Sequence, residues 1–292
     1  MQQVTVRVPA STSNLGPGFD CLGVALRIYN HVTLRRGAKS RLAPIVSEAA
    51  RLFWQQGRCR SFPFSASLDG DVPRARGLGS SATVRLGVLH GLNELSGRPL
   101  NRLSIFRLAA ALEGHPDNAA PASFGGFTVA RAESVLRFEV SSRLHFVLLV
   151  PDYDVSTSAA RRILPRNIAR AAAVESCVNA CAITAAFAAR DYKTLRGSFV
   201  DRLHQPFRRK LNPLLARTIT AAEKAGALGA FLSGSGSTIC AVTLQDRHRV
   251  AAAMQRAAGR RARVIVTRAD NSGVEIDRRR STIENISHVA PA

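Results

Sequence analysis

The alternation of apolar and polar residues along the chain predicts a mixture of strands and helices. Residues 4–8 alternate as a half-buried strand, whereas residues 144–150 form an almost continuous apolar run, as in a strand buried on both faces. Residues 101–112 and 247–258 instead carry apolar side chains at helical spacing. The long apolar run ends at Pro151, and we place a domain boundary near that point.

A loop rich in glycine and serine stands directly before a predicted helix. It reads PRARGLGSSA over residues 73–82, and residues 83–89 continue as the helix. Glycine permits positive φ and lets the backbone come close to a ligand. The first turn of a helix offers unpaired N–H groups and the positive end of its dipole, which favour phosphate groups. The pattern therefore predicts an anion cradle, although an ordinary turn that caps a helix would use the same residue types.

Two further segments combine turn-forming residues with polar side chains. Residues 9–26 crowd glycine, proline and serine around Asn14 and Asp20, which predicts a loop with specific backbone requirements. These two side chains either hydrogen-bond their own backbone or face a pocket. Residues 113–121, EGHPDNAAP, bring two carboxylates, a histidine and an asparagine close together. The proline among them favours a fixed geometry over a solvated turn.

The charge of the chain is strongly positive. Its 292 residues include 41 lysines and arginines against 20 acidic residues, a net charge of +21. A nucleic-acid-binding protein and an enzyme that handles anionic ligands would both be basic. The densest basic runs, at residues 208–210, 260–261 and 278–280, lack the interleaved aromatic residues of a surface that binds single strands. We therefore expect no nucleic-acid partner.

Cysteine usage and hydropathy indicate the compartment. The five cysteines are odd in number and scattered, so they predict no disulfide framework, and we expect Cys177 and Cys181 to be reduced and buried. The first residues lack the layout of a signal peptide, and no continuous apolar run is long enough to span a bilayer. We expect a cytoplasmic protein without a membrane partner.

The motifs resemble those of one known family. The loop at residues 73–82 is similar to the second motif of the GHMP small-molecule kinases, in which it wraps the ATP phosphates. Residues 227–242, a strand, a glycine-rich turn and a strand, look like the third motif of that family. Four further segments resemble the homoserine kinases within it, namely residues 9–26, 113–121, 155–165 and 201–208.

The resemblance implies an α+β fold with two GHMP kinase domains. The N-terminal ATP-binding domain would span residues 1–150 and a ferredoxin-like C-terminal domain residues 151–276, followed by a flexible tail at residues 277–292. The implied reaction is the ATP-dependent phosphorylation of L-homoserine to O-phospho-L-homoserine, a step towards threonine, in enzymes that are often homodimers. Another GHMP kinase with a different small alcohol, or a basic nucleic-acid-binding protein on a degenerate kinase fold, stays open as an alternative.

The resemblance also implies which residues hold the nucleotide and its metal ion. The nucleotide would contact Asn30, Pro73, Arg76, Gly77, Leu78, Gly79, Ser80 and Ser81. Ser81 and Glu113 would bind Mg²⁺, which prefers oxygen ligands.

The substrate residues implied by the resemblance carry complementary charges. Asn14 and Asp20 would contact the amino acid, with Asp20 meeting its ammonium group in a charge-assisted hydrogen bond. Arg161 and Arg208 would bind its carboxylate, because planar bidentate donors suit that group. Thr157 would lie near the transferred phosphate.

The general base is the open point of the implied mechanism. Asn118 stands where relatives of the mevalonate kinase type use an aspartate, and an amide cannot accept the proton. Our hypothesis is catalysis without a dedicated base, with the proton passing to the phosphate or to solvent. Asp117 stays open as a base, if a small change of backbone direction turns it towards the substrate.

Overall fold

Two antiparallel β-sheets with helices packed against them make up the fold. The computed structural model describes residues 2–37, 41–131 and 133–277. The mixture of strands and helices confirms the α+β class. The limits of the two predicted domains stay predictions, and nearly all of the tail expected at residues 277–292 lies outside the described residues.

The strands are, in chain order, Gln3–Ser13 (β1), Leu22–Arg36 (β2), Phe64–Gly70 (β3), Phe127–Ala130 (β4), Val135–Phe138 (β5), His145–Pro151 (β6), Gly229–Leu232 (β7), Ile239–Thr243 (β8), Ala262–Arg268 (β9) and Glu275–Ile276 (β10). The helices are Pro44–Gly57 (α1), Ser80–Leu95 (α2), Arg102–Glu113 (α3), Ala119–Phe124 (α4), Thr157–Arg162 (α5), Arg170–Ala189 (α6), Gln205–Arg208 (α7), Leu215–Lys224 (α8) and Arg247–Ala258 (α9). Two short 3₁₀ turns lie at Tyr192–Leu195 and Arg209–Leu211.

The two sheets are linked at the end of the described chain. The strand order in the first sheet is β10–β1–β2–β4–β5, with β3 also paired to β2, and in the second sheet it is β7–β8–β6–β9. β10 follows the last strand of the second sheet in sequence, yet Val6 of β1 pairs with Ile276 of β10. The chain therefore returns to the first sheet after it has completed the second.

β1 is longer than the sequence pattern predicts. The segment after residue 8 was expected to be a loop, but Ala10 to Ser13 continue the ladder with β2 as far as the pair Ser13 and Gly23. The register shifts between Pro9 and Ala10, and such a bulge accommodates a proline that has no N–H group to donate. The small polar side chains at this end of β1 are buried, so they serve packing and hydrogen bonding rather than a solvated turn.

The buried strand predicted near residue 150 is confirmed as β6, which separates two hydrophobic cores. All seven residues of β6 are buried. Phe146 and Leu148 join the core between the two sheets, while Val147 and Leu149 join the core under α8 and α9. Successive side chains of a strand point to opposite faces. A strand covered on both faces is therefore apolar throughout, as this sequence is.

A third core fixes the helix that follows the glycine-rich loop. Val4 and Val6 of β1 pack with Leu86 and Leu89 of α2 and with Phe106 of α3, and all five side chains are at most 1% exposed. Fully burying side chains of this size contributes about 1.5–3 kcal/mol each. The start of α2 is therefore held at a set position relative to the first sheet.

One expectation for α6 needs correction. Cys177 and Cys181 were expected to be buried, but both are exposed, and Val174 and Val178 on the same helix are 55% and 60% exposed. By length and composition α6 could also cross a membrane, although a single helix of this kind is weak evidence. One face of α6 is nevertheless built into the core between the sheets through Ile183 and its neighbours.

Candidate active site

Three glycine-rich segments that lie far apart in sequence are joined by backbone hydrogen bonds. The carbonyl of Leu78 in the glycine-rich loop accepts from the N–H of Ser11 at 3.2 Å. The carbonyl of Arg76 accepts from the N–H of Thr238 at 3.1 Å. The loop before α2 is thus held between the end of β1 and the turn that joins β7 to β8.

Two glycines make this close approach possible. Gly77 and Gly79 have φ of +73° and +68°, which residues with a side chain rarely adopt. A Cβ atom on Gly77 would lie 2.2 Å from the carbonyl oxygen of Ser233, and one on Gly79 would lie 2.2 Å from the Oγ of Ser11. Any other residue at these positions would push the three segments apart.

A cleft of about 820 Å³ opens beside the loop and the start of α2. Its apolar end is formed by side chains from α1, β2, β3 and α2, among them Val32, Val46, Leu68 and Val84. Its polar end carries charged and amide side chains from the other motifs. α2 begins at Ser80 and has no acidic residue in its first turn, so the N–H groups and positive dipole of this end are available to an anion.

Most of the predicted site residues line the cleft, but three do not. The residues that reach it are Asn14, Asp20, Arg76, Gly77, Gly79, Ser80, Ser81, Glu113, Asp117, Asn118, Thr157, Arg161 and Arg208. Asn30 is 2% exposed and donates to the Oγ1 of Thr83 at 2.8 Å, so it ties β2 to α2 instead of facing the cleft. Leu78 is a fully buried core residue, and Pro73 lines a neighbouring cavity.

Ser81 and Glu113 meet at the start of α2. The Oγ of Ser81 donates to Oε2 of Glu113 at 2.7 Å, and Arg85, one helical turn after Ser81, forms an ion pair with the other carboxylate oxygen. Arg85 also reaches Glu48 of α1 at 3.2 Å. The Glu113 side chain is 6% exposed and lines the cleft. A hydroxyl and a carboxylate that converge in this way fit a hard divalent cation, which prefers oxygen ligands.

Asn118 is held on both sides by serines of β1. Its Oδ1 accepts from the Oγ of Ser11 at 2.8 Å, and its Nδ2 donates to the Oγ of Ser13 at 3.0 Å. These bonds fix the side chain at the wall of the cleft, and Oδ1, which has two lone pairs, can still accept from a further hydroxyl group. The conformation of the segment after α3 is tied to the end of β1 by these bonds.

Asp117 is paired with His115. The two side chains form a hydrogen bond of 2.6 Å between Nδ1 of His115 and Oδ1 of Asp117. Burial alone would raise the pKa of Asp117, but the bond and charge of His115 and a bond from Ser13 outweigh it and lower that pKa. Burial alone would lower the pKa of His115, and Asp117 reverses this direction, so the pKa of His115 is raised. The pair is thus stabilised as a carboxylate and an imidazolium.

Asp20 and Arg161 form a bidentate ion pair in the cleft. The Nη1 and Nη2 atoms of Arg161 donate to the two carboxylate oxygens of Asp20 at 3.0 and 2.7 Å. The amide oxygen of Asn14 accepts from the backbone N–H of Asp20 at 3.0 Å, which fixes Asp20 at a positive φ of 60°. Asp20, His115 and Asp117 also lie close enough to surround a cation, but Arg161 already engages both oxygens of Asp20.

Arg208 is a buried arginine at the inner wall of the cleft. Its side chain donates to the carbonyls of Ala160 and Gly234 at 3.1 and 3.0 Å, and its guanidinium lies over the ring of Phe19. Burial, and after it the neighbouring Arg161, lowers the pKa of Arg208 to about 10. Carbonyl partners hold the guanidinium without neutralising it, so its charge is available to an anionic group.

The buried side chain of His204 contacts the guanidinium of Arg208. Its Nε2 donates to the carbonyl of Gly16 at 2.8 Å, and its Nδ1 lies 3.3 Å from Nη1 of Arg208. His204 is fully buried, and burial lowers its pKa to about 4, so the ring is neutral near pH 7 and can accept from Arg208. The motif at residues 201–208 is in this way attached to the first motif.

Sequence reasoning missed several residues of the cleft. His115, Ser13, Arg85 and Ser235 all line it, and Ser235 lies 3.2 Å from Thr157 between their hydroxyl oxygens. His115, Ser13 and Ser235 stand inside motifs that were recognised, so proximity in sequence was the available signal. Arg85 lies beyond the loop motif, and only its helical spacing from Ser81 connects the two.

The chain matches two family models and many curated relatives. The models are the GHMP kinases N terminal domain, over residues 44–126, and the GHMP kinases C terminal domain, over residues 183–261. The homoserine kinase of Microchaete diplosiphon is 38% identical in an alignment of 281 positions that covers 88% of this chain and 91% of the relative. The homoserine kinase of Desulfitobacterium hafniense is 39% identical in an alignment of 263 positions that covers 84% of this chain and 88% of the relative.

Solved structures agree with these relatives. A homoserine kinase from Cytophaga hutchinsonii superimposes with a TM-score of 0.86 at 27% identity, covering 94% of this chain and 98% of that one. The mevalonate kinase of Methanococcus jannaschii superimposes with a TM-score of 0.69 at 12% identity, covering 90% and 97%, which shows the common fold alone. The chain belongs to the GHMP kinase family, in the group that contains the homoserine kinases.

Proposed function

We propose that this protein is a homoserine kinase, which transfers a phosphoryl group from ATP to the hydroxyl of L-homoserine and releases O-phospho-L-homoserine and ADP. The observation that carries the proposal is the Asp20–Arg161 ion pair, which faces the same cleft as the glycine-rich loop. An α-amino acid brings both an ammonium and a carboxylate, so it can satisfy both members of the pair. A hydroxy acid without an ammonium, such as mevalonate, would leave Asp20 without a cation.

Substrate binding is an exchange of ion pairs in this proposal. Without substrate, Asp20 and Arg161 neutralise each other. The ammonium group of the substrate then pairs with Asp20. The carboxylate of the substrate pairs with Arg161 and with the charged Arg208, which also lines the cleft. One ion pair is replaced by two, so no charge in the cleft is left unpaired. Asn14 keeps Asp20 in place during the exchange through its bond to the backbone.

The nucleotide is assigned to the other end of the cleft. Its phosphates would lie against the N–H groups at the start of α2, and its base against the apolar side chains of α1, β3 and α2. Ser81 and Glu113 are the residues that would hold Mg²⁺. When bound there, the cation would neutralise charge on the transferring phosphoryl group. Thr157 and Ser235 also line this cleft, with their hydroxyl oxygens 3.2 Å apart.

Asp117 is a poor candidate for a general base. A base works best when its pKa lies near the operating pH, and the pKa of Asp117 is lowered below the ordinary range of a carboxyl. Its Oδ1 already accepts from His115. We therefore assign Asp117 to holding His115, and Asn118 to positioning the homoserine hydroxyl. Catalysis then depends on orientation and electrostatics, the usual sources of rate in phosphoryl transfer.

We further propose that the protein works as a soluble homodimer in the cytoplasm. The supporting observation is the exposed apolar face of α6, with Val174 and Val178 more than half exposed beside Cys177 and Cys181. Monomeric proteins rarely leave a contiguous apolar face uncovered. A second copy of the chain, presenting the same face, would bury it.

The first prediction tests the metal ligands. Glu113→Gln should raise the Mg²⁺ concentration needed for half-maximal activity by about 100-fold, because a carboxylate ligand becomes a neutral amide. Calorimetric titration of Mg²⁺ into the protein with a non-hydrolysable ATP analogue should show the same loss. Glu48→Gln is the matched control, since Glu48 also contacts Arg85 but not Ser81. Unchanged Mg²⁺ binding in Glu113→Gln would remove Glu113 from the metal site.

The second prediction tests substrate selection with a coupled ADP-release assay. Asp20→Asn and Arg161→Lys should each raise the KM for homoserine by about 10- to 100-fold, the equivalent of one charged hydrogen bond. The KM for ATP should change less than twofold. Asp20→Asn should also lower the ratio of kcat/KM for homoserine to kcat/KM for 4-hydroxybutyrate, because the latter compound lacks the ammonium group. The exposed neighbour Arg162→Lys serves as control, and equal effects on both KM values would contradict the assignment.

The third prediction concerns the base and the pH profile. A carboxyl with a lowered pKa is ionised throughout the assay range, so kcat/KM should show no acidic limb from Asp117 between pH 5.5 and 8. Asp117→Asn should lower kcat by less than about tenfold, compared with the 10²–10⁴-fold that removal of a general base costs. Asn118→Ala should lower kcat and leave the KM for ATP unchanged. An acidic limb that disappears together with Asp117 would show that Asp117 is the base.

The fourth prediction tests the dimer by light scattering after gel filtration, without detergent. The wild type should elute with the mass of two chains, and Val174→Asp/Val178→Asp should shift it towards one, because two buried charges would be unpaired. Val266→Asp, an exposed valine of β9, is the control. A monomeric wild type, or aggregation relieved only by detergent, would refute the soluble dimer.

A further inference from the structure

A second cavity lies behind the glycine-rich loop, outside the cleft assigned to catalysis. Its volume is about 650 Å³, enough for a small ligand. One wall is the start of the loop, with Arg74 and Arg76, and the other is the turn before β9 and its first residues, with Arg260, Arg261 and Arg263. Five arginines from two distant parts of the chain thus converge on one cavity.

Within residues 2–37, 41–131 and 133–277, four of these arginines have no side-chain partner. Among the residues that the structure describes, no side-chain hydrogen bond or ion pair engages Arg74, Arg260, Arg261 or Arg263. The fifth, Arg76, is fixed by the carbonyls of Pro151 and Asp152 at 2.9 and 3.2 Å and by an ion pair with Asp154. After that pair is formed, Asp152 is the single carboxylate left among the lining residues to balance four guanidinium groups.

Some arginines elsewhere on the surface are paired with a carboxylate, and what distinguishes these four is that they line one cavity together. Arg98 and Arg202 each form two or more hydrogen bonds with a nearby glutamate, at 2.9–3.2 Å. Arginines that converge in a concave site without carboxylates repel one another, so an anion that binds there relieves the repulsion. Guanidinium groups match phosphate oxygens geometrically.

We propose that this cavity is a second binding site, for a small ligand that carries two or more adjacent phosphate groups. Several guanidinium groups spread over two walls need a ligand whose charges are also spread, which a single phosphate or carboxylate does not offer. Arg74 and Arg76 line both the cavity and the catalytic cleft, so the two sites share one wall. The inference does not depend on homoserine as the substrate of the catalytic cleft.

The test is calorimetric titration of the full-length protein with two probes in separate arms. One probe is inorganic tripolyphosphate and the other a non-hydrolysable ATP analogue, both without Mg²⁺. The cavity variant is Arg260→Ser/Arg261→Ser/Arg263→Ser. The control variant removes the same charge at three exposed arginines that do not line the cavity, Arg217→Ser/Arg249→Ser/Arg256→Ser.

Wild type and control should show two binding events with tripolyphosphate, and the cavity variant should keep one and weaken the other at least tenfold. A second event with tripolyphosphate alone identifies an inorganic polyphosphate as the ligand, and a second event with both probes identifies the phosphate tail of a nucleotide. The kinase activity of the cavity variant, measured without tripolyphosphate, should stay within twofold of that of the wild type. If thermal unfolding shows that the cavity variant is destabilised, Arg260→Ser/Arg261→Ser replaces it, because that variant leaves β9 unchanged.

Three results would overturn the proposal. The first is a single binding event in the wild type that the cavity variant retains at full strength. The second is an equal loss in the control variant, which would indicate a general effect of net charge. The third is a short single-stranded oligonucleotide that binds more tightly than tripolyphosphate and is lost in the cavity variant, which would make the surface a nucleic-acid site.

Discussion

The site depends on the direct contact between the glycine-rich loop and the two segments that flank it. The Oγ of Ser233 donates to the carbonyl of Gly77 at 2.6 Å and lies 2.8 Å from the Oγ1 of Thr12, so one hydroxyl connects all three segments. A side chain at Gly77 would collide with the backbone of Ser233, and one at Gly79 would collide with the side chain of Ser11. Because β1 belongs to the first sheet and Ser233 follows β7 of the second, this contact sets the position of the loop relative to both sheets.

Internal pairing of charged groups is the second constraint. Asp20 is paired with Arg161, Glu113 with Arg85 and Asp117 with His115, all at the walls of one cleft. An unpaired charge in a partly buried site is costly, and a paired one is less so. The folded protein can therefore hold many charges in a small volume before any ligand arrives. A ligand that carries both a positive and a negative group can replace the partners in such a pair. No charged side chain is then left unpaired inside the cleft.

Much of the fold could be predicted from the sequence because the signal is local. The apolar run of β6 and the helical spacing of α9 were correctly located, since alternation and helical periodicity depend only on neighbouring residues. The end of β1 was missed, because its small polar residues look like a turn and are in fact paired with β2. The exposure of Cys177 was missed as well, since an apolar helix has the same composition whether one face or all of it is covered.

The sequence by itself determined the motifs, their order and therefore the family, since these are properties of residue type and spacing. Only the tertiary structure decided which side chains face the cleft: it turned Asn30 inward to Thr83, bonded Asp117 to His115 and joined Asp20 directly to Arg161. It also brought the arginines near residue 75 and near residue 261 to one cavity. The physical reason is that hydrogen bonds and ion pairs depend on distances in space of a few ångströms, between residues that can be far apart in the chain, as Thr12 and Ser233 are at 221 positions from each other.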